Sequence, residues 1–312
     1  MISFLAVSLA VAAASALPHY KRDNDGSITG TSYPFLTSKA NADFSPDTVV
    51  LNYALTLEHL ENTFYHQALA NYTQEDFTNA GLPDWARGRF EEIGKHEQSH
   101  VDTLTSVLGD SAVQACEYNF PVTDPKSFAA LSQVLEGVGT SAYAGAAKYL
   151  QGTDALTAAA VILSTEARHA AWVASAISLE NPWSGAYDTA LTFNEVYTLA
   201  SGFIVSCPSS NPALPFKAFP ALTLGAGKPG QSVSVTYANG TETDSDMYIA
   251  FFSGLDKTFQ QVTDGSVTIP EGLKGTVYAV ATSNATAATD DTTVAGPAIL
   301  AFPFGPDGQL LN

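Results

Sequence analysis

Two stretches of this chain put a carboxylate and an imidazole where an amphipathic helix carries its core. They are Glu97-Gln98-Ser99-His100 and Glu166-Ala167-Arg168-His169. Each is E-x-x-H, a spacing that sets both side chains on one helix face, one turn apart. Around the first, the apolar stripe runs Phe90, Ile93, Glu97, His100, Leu104, Val107; around the second, it runs Ala159, Ile162, Glu166, His169, Val173, Ala176. Steps of three and four are those of a bundle seam. A buried charge without a partner is strongly unfavourable, so polar pairs in a seam need compensation, and a metal ion supplies it.

Two other apolar stripes carry single glutamates. Glu58 lies in Leu51, Leu55, Glu58, Asn62, Tyr65, Leu69, and Glu136 lies in Ala129, Ser132, Glu136, Gly139, Tyr143, Ala146. Both are followed seven residues later by a tyrosine, Tyr65 and Tyr143. The chain thus uses one pattern twice: Glu…Tyr, then E-x-x-H. Glu61 belongs to a second stripe of the same segment (Ala54, Leu57, Glu61, Phe64, Ala68) and rivals Glu58, which symmetry with Glu136 favours. His59 and His66 read as surface residues of that helix.

The periodicity predicts helices over 46–70, 84–108, 125–150 and 154–179, with a fifth near 187–205. Asp84 and Asp154 are the predicted N-caps, and Gly109 and Gly152 the predicted stops. In antiparallel pairs, Glu58 and Glu97 then stand at levels of roughly 18 and 20 Å, and Glu136 and Glu166 at roughly 21 and 18 Å. All six side chains therefore meet at one level. The connection 109–124 reaches about 50 Å when extended, enough to run back along the bundle.

From Pro208 the pattern changes. Pro208, Pro212, Pro215 and Pro220 mark a linker, and short alternating runs follow at 232–237, 247–252, 266–269, 276–282 and 297–302. Asn239-Gly240, Asp264-Gly265 and Pro270-Glu271-Gly272 punctuate them as turns. This reads as a small antiparallel β-sandwich with no clustered ligands of its own. The fold class is a multidomain α and β chain: a four-helix bundle with a fifth helix over 46–207, a linker over 208–220 and a β-sandwich over 221–312.

The first 22 residues read as a leader. Ile2 to Ala16 is apolar, too short to span a bilayer, and ends in Ala14-Ser15-Ala16. Lys21-Arg22 follows as a dibasic processing site, which leaves 23–45 as an N-terminal segment. Sequons at Asn71, Asn239 and Asn284 become glycosylation candidates in a secreted chain. Cys116 and Cys207 are the only cysteines, and an oxidising compartment pairs them. A net charge of −18 argues against nucleic-acid partners. No later apolar run is long enough to span a membrane.

One Glu from each of two helices and one E-x-x-H from each of the others is the ligand set of carboxylate-bridged di-iron and di-manganese bundles. Here the sequence resembles the ferritin-like superfamily over about 46–180. The opening Leu51-Asn52-x-x-Leu55-Thr56-x-Glu58, with Tyr65 beyond, is similar to the first helix of bacterioferritins. The whole chain resembles secreted fungal ferritin-like proteins known as stress-response and late-sexual-development proteins, which are similar to plant desiccation-related proteins. The resemblance implies two Fe or Mn ions. Glu58 and His100 would serve one and Glu136 and His169 the other, with Glu97 and Glu166 bridging. Tyr65 and Tyr143 would donate hydrogen bonds to carboxylates across the bundle. It also implies a small oxidant, peroxide or dioxygen, and chemistry like that of a manganese catalase or a ferroxidase.

Two other readings compete. His96-Glu97-Gln98-Ser99-His100 is also H-E-x-x-H, the zinc-protease motif, with His96 and His100 on zinc. It leaves Glu58, Glu136, Glu166 and His169 without a role. The second is a bundle without metal chemistry that serves as a scaffold or cell-wall component.

Overall fold

The computed structural model describes residues 46–237 and 247–311. The leader, the processing site, the 23–45 segment and Asn239 lie outside the described residues.

Four long helices follow the apolar stripes: α1 (Pro46–Asn71), α3 (Ala86–Leu108), α4 (Pro125–Ala146) and α5 (Thr153–Trp172). A short α2 (Gln74–Asn79) joins α1 to α3. Helix α1 packs along α3 and α4 along α5, and α1 also meets α4. The last turn of α5 widens into a π turn over Val173–Ile177, where Ser178 N–H reaches back to Val173 O. Helix α6 (Phe193–Ser201) lies over α4 and α1.

Several helix ends differ from the sequence expectation. Asp84 does not cap α3: Trp85 holds that position with no side-chain cap, and Asp84 instead accepts from Thr78 Oγ1. Asp154 lies inside the first turn of α5, whose N-cap is Gly152. Asp47, from the start of α1, takes the backbone N–H groups of Gln151 and Gly152. Gly152 is therefore the start of a helix and not a stop, whereas Gly109 does end α3, at φ 54°. The true capping boxes are Thr73/Asp76, Asp124/Ser127 and Thr192/Glu195. The fifth helix is shorter than predicted because its box begins it only at Phe193.

The 109–124 connection runs along α1. Asn52 Nδ2 donates to Ser111 O and its Oδ1 accepts from Val113 N–H, near the start of α1. His59 Nε2 pairs with Val113 O and is half-buried against this segment, outside both ligand groups, while His66 is exposed. Tyr72 OH, beyond the end of α1, donates to Val122 O. Strand β1 (Glu117–Tyr118) pairs antiparallel with β2 (Ile204–Ser206), and Cys116 and Cys207 are joined by a disulfide beside them. The two cysteines are 91 residues apart, and closing a loop of that length contributes about 4–5 kcal/mol on the chain-entropy model.

Among the described residues, the remaining strands form two antiparallel sheets. One is β3 (Leu222–Leu224), β4 (Ser232–Tyr237) and β7 (Ser266–Thr268). The other, in order, is β6 (Asp256–Gln261), β5 (Tyr248–Ser253), β8 (Gly275–Thr282) and β9 (Thr293–Phe302). Side chains alternate across a strand, and here both faces of the larger sheet are covered. Ile249, Phe251, Val277, Ala279 and Ala281 meet the smaller sheet in one core, while Ala250, Phe252, Tyr278 and Val280 join the core of the helices. Ser141 of α4 and Tyr278 of β8 are hydrogen-bonded at 3.0 Å. No helix among the described residues is long and apolar enough to cross a membrane.

Candidate metal centre

The six side chains singled out from the sequence converge in the middle of the bundle. Glu58, Glu97, Glu136 and Glu166 are fully buried and His169 is buried, while His100 keeps 12% of its side chain exposed. Two groups of four form there: Glu58, Glu97, His100 and Glu166, and Glu97, Glu136, Glu166 and His169. Within each group, one ligand atom per residue lies within 4.8 Å of all the others. Glu97 and Glu166 belong to both.

The two imidazoles aim Nδ1 inward. His100 Nδ1 stands 3.2 Å from Glu58, 3.0 Å from Glu97 and 3.3 Å from Glu166. His169 Nδ1 stands 3.2 Å from Glu97 and 3.0 Å from Glu136. One ring proton cannot serve two or three carboxylates at once. Accordingly, Glu97 Oε1 and both oxygens of Glu166 accept no hydrogen bond. Buried oxygens without donors are the lone pairs that a cation satisfies, so the residues present fit metal ions. Four carboxylates would balance two divalent cations, with both imidazoles neutral.

Electrostatics show the strain of leaving this cluster to protons alone. Burial, with Glu136 close by, raises Glu97 to about 7. Burial, with Glu97 and Glu136, pushes Glu166 well above the carboxylate range. Burial opposes the charging of His100, but Glu166, Glu58 and Glu97 outweigh it and raise the ring to about 12. Likewise Glu136 and Glu97 overcome burial at His169 and raise it to about 9.

The tyrosines cross the bundle. Tyr65 OH on α1 donates to Glu136 on α4 and also meets Ser132 Oγ at 2.7 Å. Tyr143 OH on α4 donates to Glu58 on α1. Each phenol thus fixes one oxygen of a glutamate from the other helix pair. On one side of the cluster, Tyr65, Phe90 and Phe128 pack in a buried aromatic group, the last two with ring centroids 4.8 Å apart. That group shuts out water.

Three residues near the cluster have roles the sequence reading did not assign. His96 Nδ1 lies 2.9 Å from Nε2 of His169, its ring stacked at 8°. His96 is exposed and lies outside both four-residue groups, so it does not join His100 at one ion as the H-E-x-x-H reading requires. Glu61 is buried beside Glu166, and Gly139 abuts both carboxylates. The signal for Gly139 was present: a glycine at a seam position between Glu136 and Tyr143. Of the remaining expected sites, Asn71 and Asn284 are both exposed, and Asn284 Oδ1 accepts from the Thr286 and Ala287 backbone.

A family model described as Ferritin-like domain matches residues 46–179. These residues are a ferritin-like domain. Over 176 residues the chain is 29% identical to Protein rds1 of Schizosaccharomyces pombe. That stretch takes in 56% of this chain and 43% of the relative, so less than half of the relative is spanned. Both findings support the fungal ferritin-like family, and the helices followed by antiparallel sheets agree with the fold class read from the sequence.

Proposed function

We propose that this is a secreted ferritin-like protein whose buried cluster holds two iron or manganese ions and brings them to a small oxidant. One observation carries the reading: Glu97 and Glu166 each belong to both four-residue groups, so two cations would share two carboxylates. Glu58 and His100 would complete one site, Glu136 and His169 the other. Carboxylate and imidazole ligands suit both metals. Bound ions of this kind exchange electrons with dioxygen or peroxide.

The chain's own residues prepare the site. Tyr143 and Tyr65 hold Glu58 and Glu136 in place through hydrogen bonds. His96 Nδ1 faces Nε2 of His169, and a proton held between these two nitrogens keeps Nδ1 of His169 free to bind. The aromatic group at Phe90 and Phe128 keeps water from one side.

Elemental analysis of purified protein tests the proposal. About two Fe or Mn per chain are expected, and Glu97→Ala or His169→Ala should remove most of that metal. Full occupancy in both variants refutes it. The secretion reading is tested by the mature N-terminus, expected at Asp23.

A further inference from the structure

The helices and the larger sheet leave a cleft between them, apart from the buried cluster. It measures about 100 Å³ and lies between α4, the end of α5 and strands β8 and β9. The loop 178–191 forms one wall. That loop is fastened along its length. Asn181 Oδ1 accepts from Phe304 N–H at 3.0 Å, Ser184 Oγ from Thr276 N–H at 2.8 Å and Thr189 Oγ1 from Gly254 N–H at 2.9 Å. Ser184 also packs so close to Gly275 that a Cβ there would stand 2.5 Å from its Cα. Yet this pinned loop holds two large rings in water: Trp183 is 64% exposed and Tyr187 61%. Rings fixed in the open on a rigid support are contact area ready for a ligand, with little ordering left to do.

Trp183 lines the cleft together with Glu180 and Asp188, and no lysine, arginine or histidine lines it. Among the described residues Asp188 accepts no side-chain hydrogen bond, and Glu180 accepts one at 3.4 Å, from Gln133 Nε2. The hydroxyls of the opposite wall are already engaged: Ser141 and Tyr278 meet at 3.0 Å, and Thr140 donates to Glu136 O. The cleft therefore offers two open acceptors beside a flat apolar ring. None of the six ligands lines it, so its chemistry owes nothing to a bound metal.

We propose that this cleft binds the end of a neutral carbohydrate chain. A sugar ring presents a C–H face, which covers an aromatic ring, and an edge of O–H donors, which carboxylates accept strongly. The cleft admits the edge of one such ring, and the next rings lie over Trp183 toward Tyr187. Other ligand classes fit less well. Uronates and phosphate esters meet two carboxyl groups with no cation beside them, on a chain of net charge −18. A lipid tail would bury those acceptors without a donor. A polyamine would match the carboxylates, and salt tells it apart: exposed ion pairs are screened, whereas hydrogen bonds from a neutral sugar are not.

The test is calorimetric titration of the full chain, metal-free, with three probes: a β-linked glucose hexamer, an N-acetylglucosamine hexamer and spermine. At least one hexamer is expected to bind, with an affinity that stays level between about 50 and about 500 mM salt. Trp183→Ala should lower that affinity about tenfold, equivalent to about 1.4 kcal/mol, at an unchanged melting temperature, and Trp183→Phe should restore most of it. Asp188→Asn, which keeps the shape but weakens the acceptor, should lower it about threefold. As a second measurement, the indole N–H signal absent from Trp183→Phe should be the one of three tryptophan signals to shift when sugar is added. No binding of either hexamer at millimolar concentration overturns the proposal. So does spermine binding in their place with a steep salt dependence, and so does hexamer binding that Trp183→Ala leaves intact. Because no metal is present in the titration, this site and the metal centre stand or fall separately.

Discussion

Replacing Gly139 with alanine separates what the metal centre needs from what the helix needs. Inside α4 the change favours the helix by about 1 kcal/mol on propensity. The new methyl, however, falls 2.9 Å from Glu166 Oε2 and 3.0 Å from Glu61 Oε1, where ordinary contact begins at 3.4 Å. Both carboxylates must therefore retreat by about 0.4–0.5 Å, and metal–ligand distances tolerate about 0.2 Å. A bridging Glu166 moved by twice that tolerance should weaken metal binding about 10–100-fold, or about 1.4–2.7 kcal/mol. Without metal, the two carboxyl groups are free to swing aside, and the helix gain remains. The expected pattern is weaker binding in chelator-competition titrations with an equal or higher melting temperature of metal-free protein. Unchanged affinity would show that Glu166 does not bind metal where it now stands. A lower metal-free melting temperature would show that Gly139 serves packing and not the site.

Glu61→Gln should keep full metal occupancy, whereas Glu58→Gln should lose one ion, since Glu58 and not Glu61 belongs to a four-residue group; the reverse result in elemental analysis would exchange their roles. Asn52 is fully buried and holds Ser111 O and Val113 N–H. Asn52→Ala should cost about 1–3 kcal/mol in chemical denaturation through the orphaned Val113 amide, and no measurable loss would contradict it. In metal-free protein, Glu97 is raised from 4.5 to about 7, His169 from 6.5 to about 9 and His100 from 6.5 to about 12. A raised folded-state pKa gives stability that is complete below the unfolded value and lost as pH climbs to the folded one. The thermal stability of metal-free protein should therefore fall from about pH 5 upward, through the Glu97 and His169 contributions by about pH 9 and the His100 contribution by about pH 12. Metal binding expels those protons, so its stabilising increment should grow over the same range. A metal-free midpoint that rises with pH would refute the account.

The helices and the meeting of six side chains were legible because the constraint is periodic. Glu97 and His100 occupy the same seam as Phe90 and Leu104, and that geometry follows from spacing alone. Helix ends were less legible, because the groups that satisfy them come from elsewhere. Nothing near Gly152 announces that Asp47, 105 residues away, takes its backbone N–H. Helix α2 did leave a local mark, the Thr73-x-x-Asp76 box. Strands β5 and β8 read as ordinary sandwich strands, yet Phe252 and Tyr278 face the helices; sequence shows which residues alternate, not what covers each face. Glu61 was ambiguous for a similar reason. Two adjacent stripes of α1 are both buried, one facing the cluster and the other the seam with α4 and α6.

The crossed tyrosines have a consequence for how this chain is able to change. Tyr65 of the first hairpin steadies Glu136 of the second, and Tyr143 of the second steadies Glu58 of the first. Glu97 and Glu166 are shared in the same reciprocal way. Neither hairpin contains a finished site, yet two copies of either one, related by a two-fold axis, would. The domain is in effect a symmetric dimer written into a single chain. Replacing either tyrosine therefore frees a glutamate that the other half contributes.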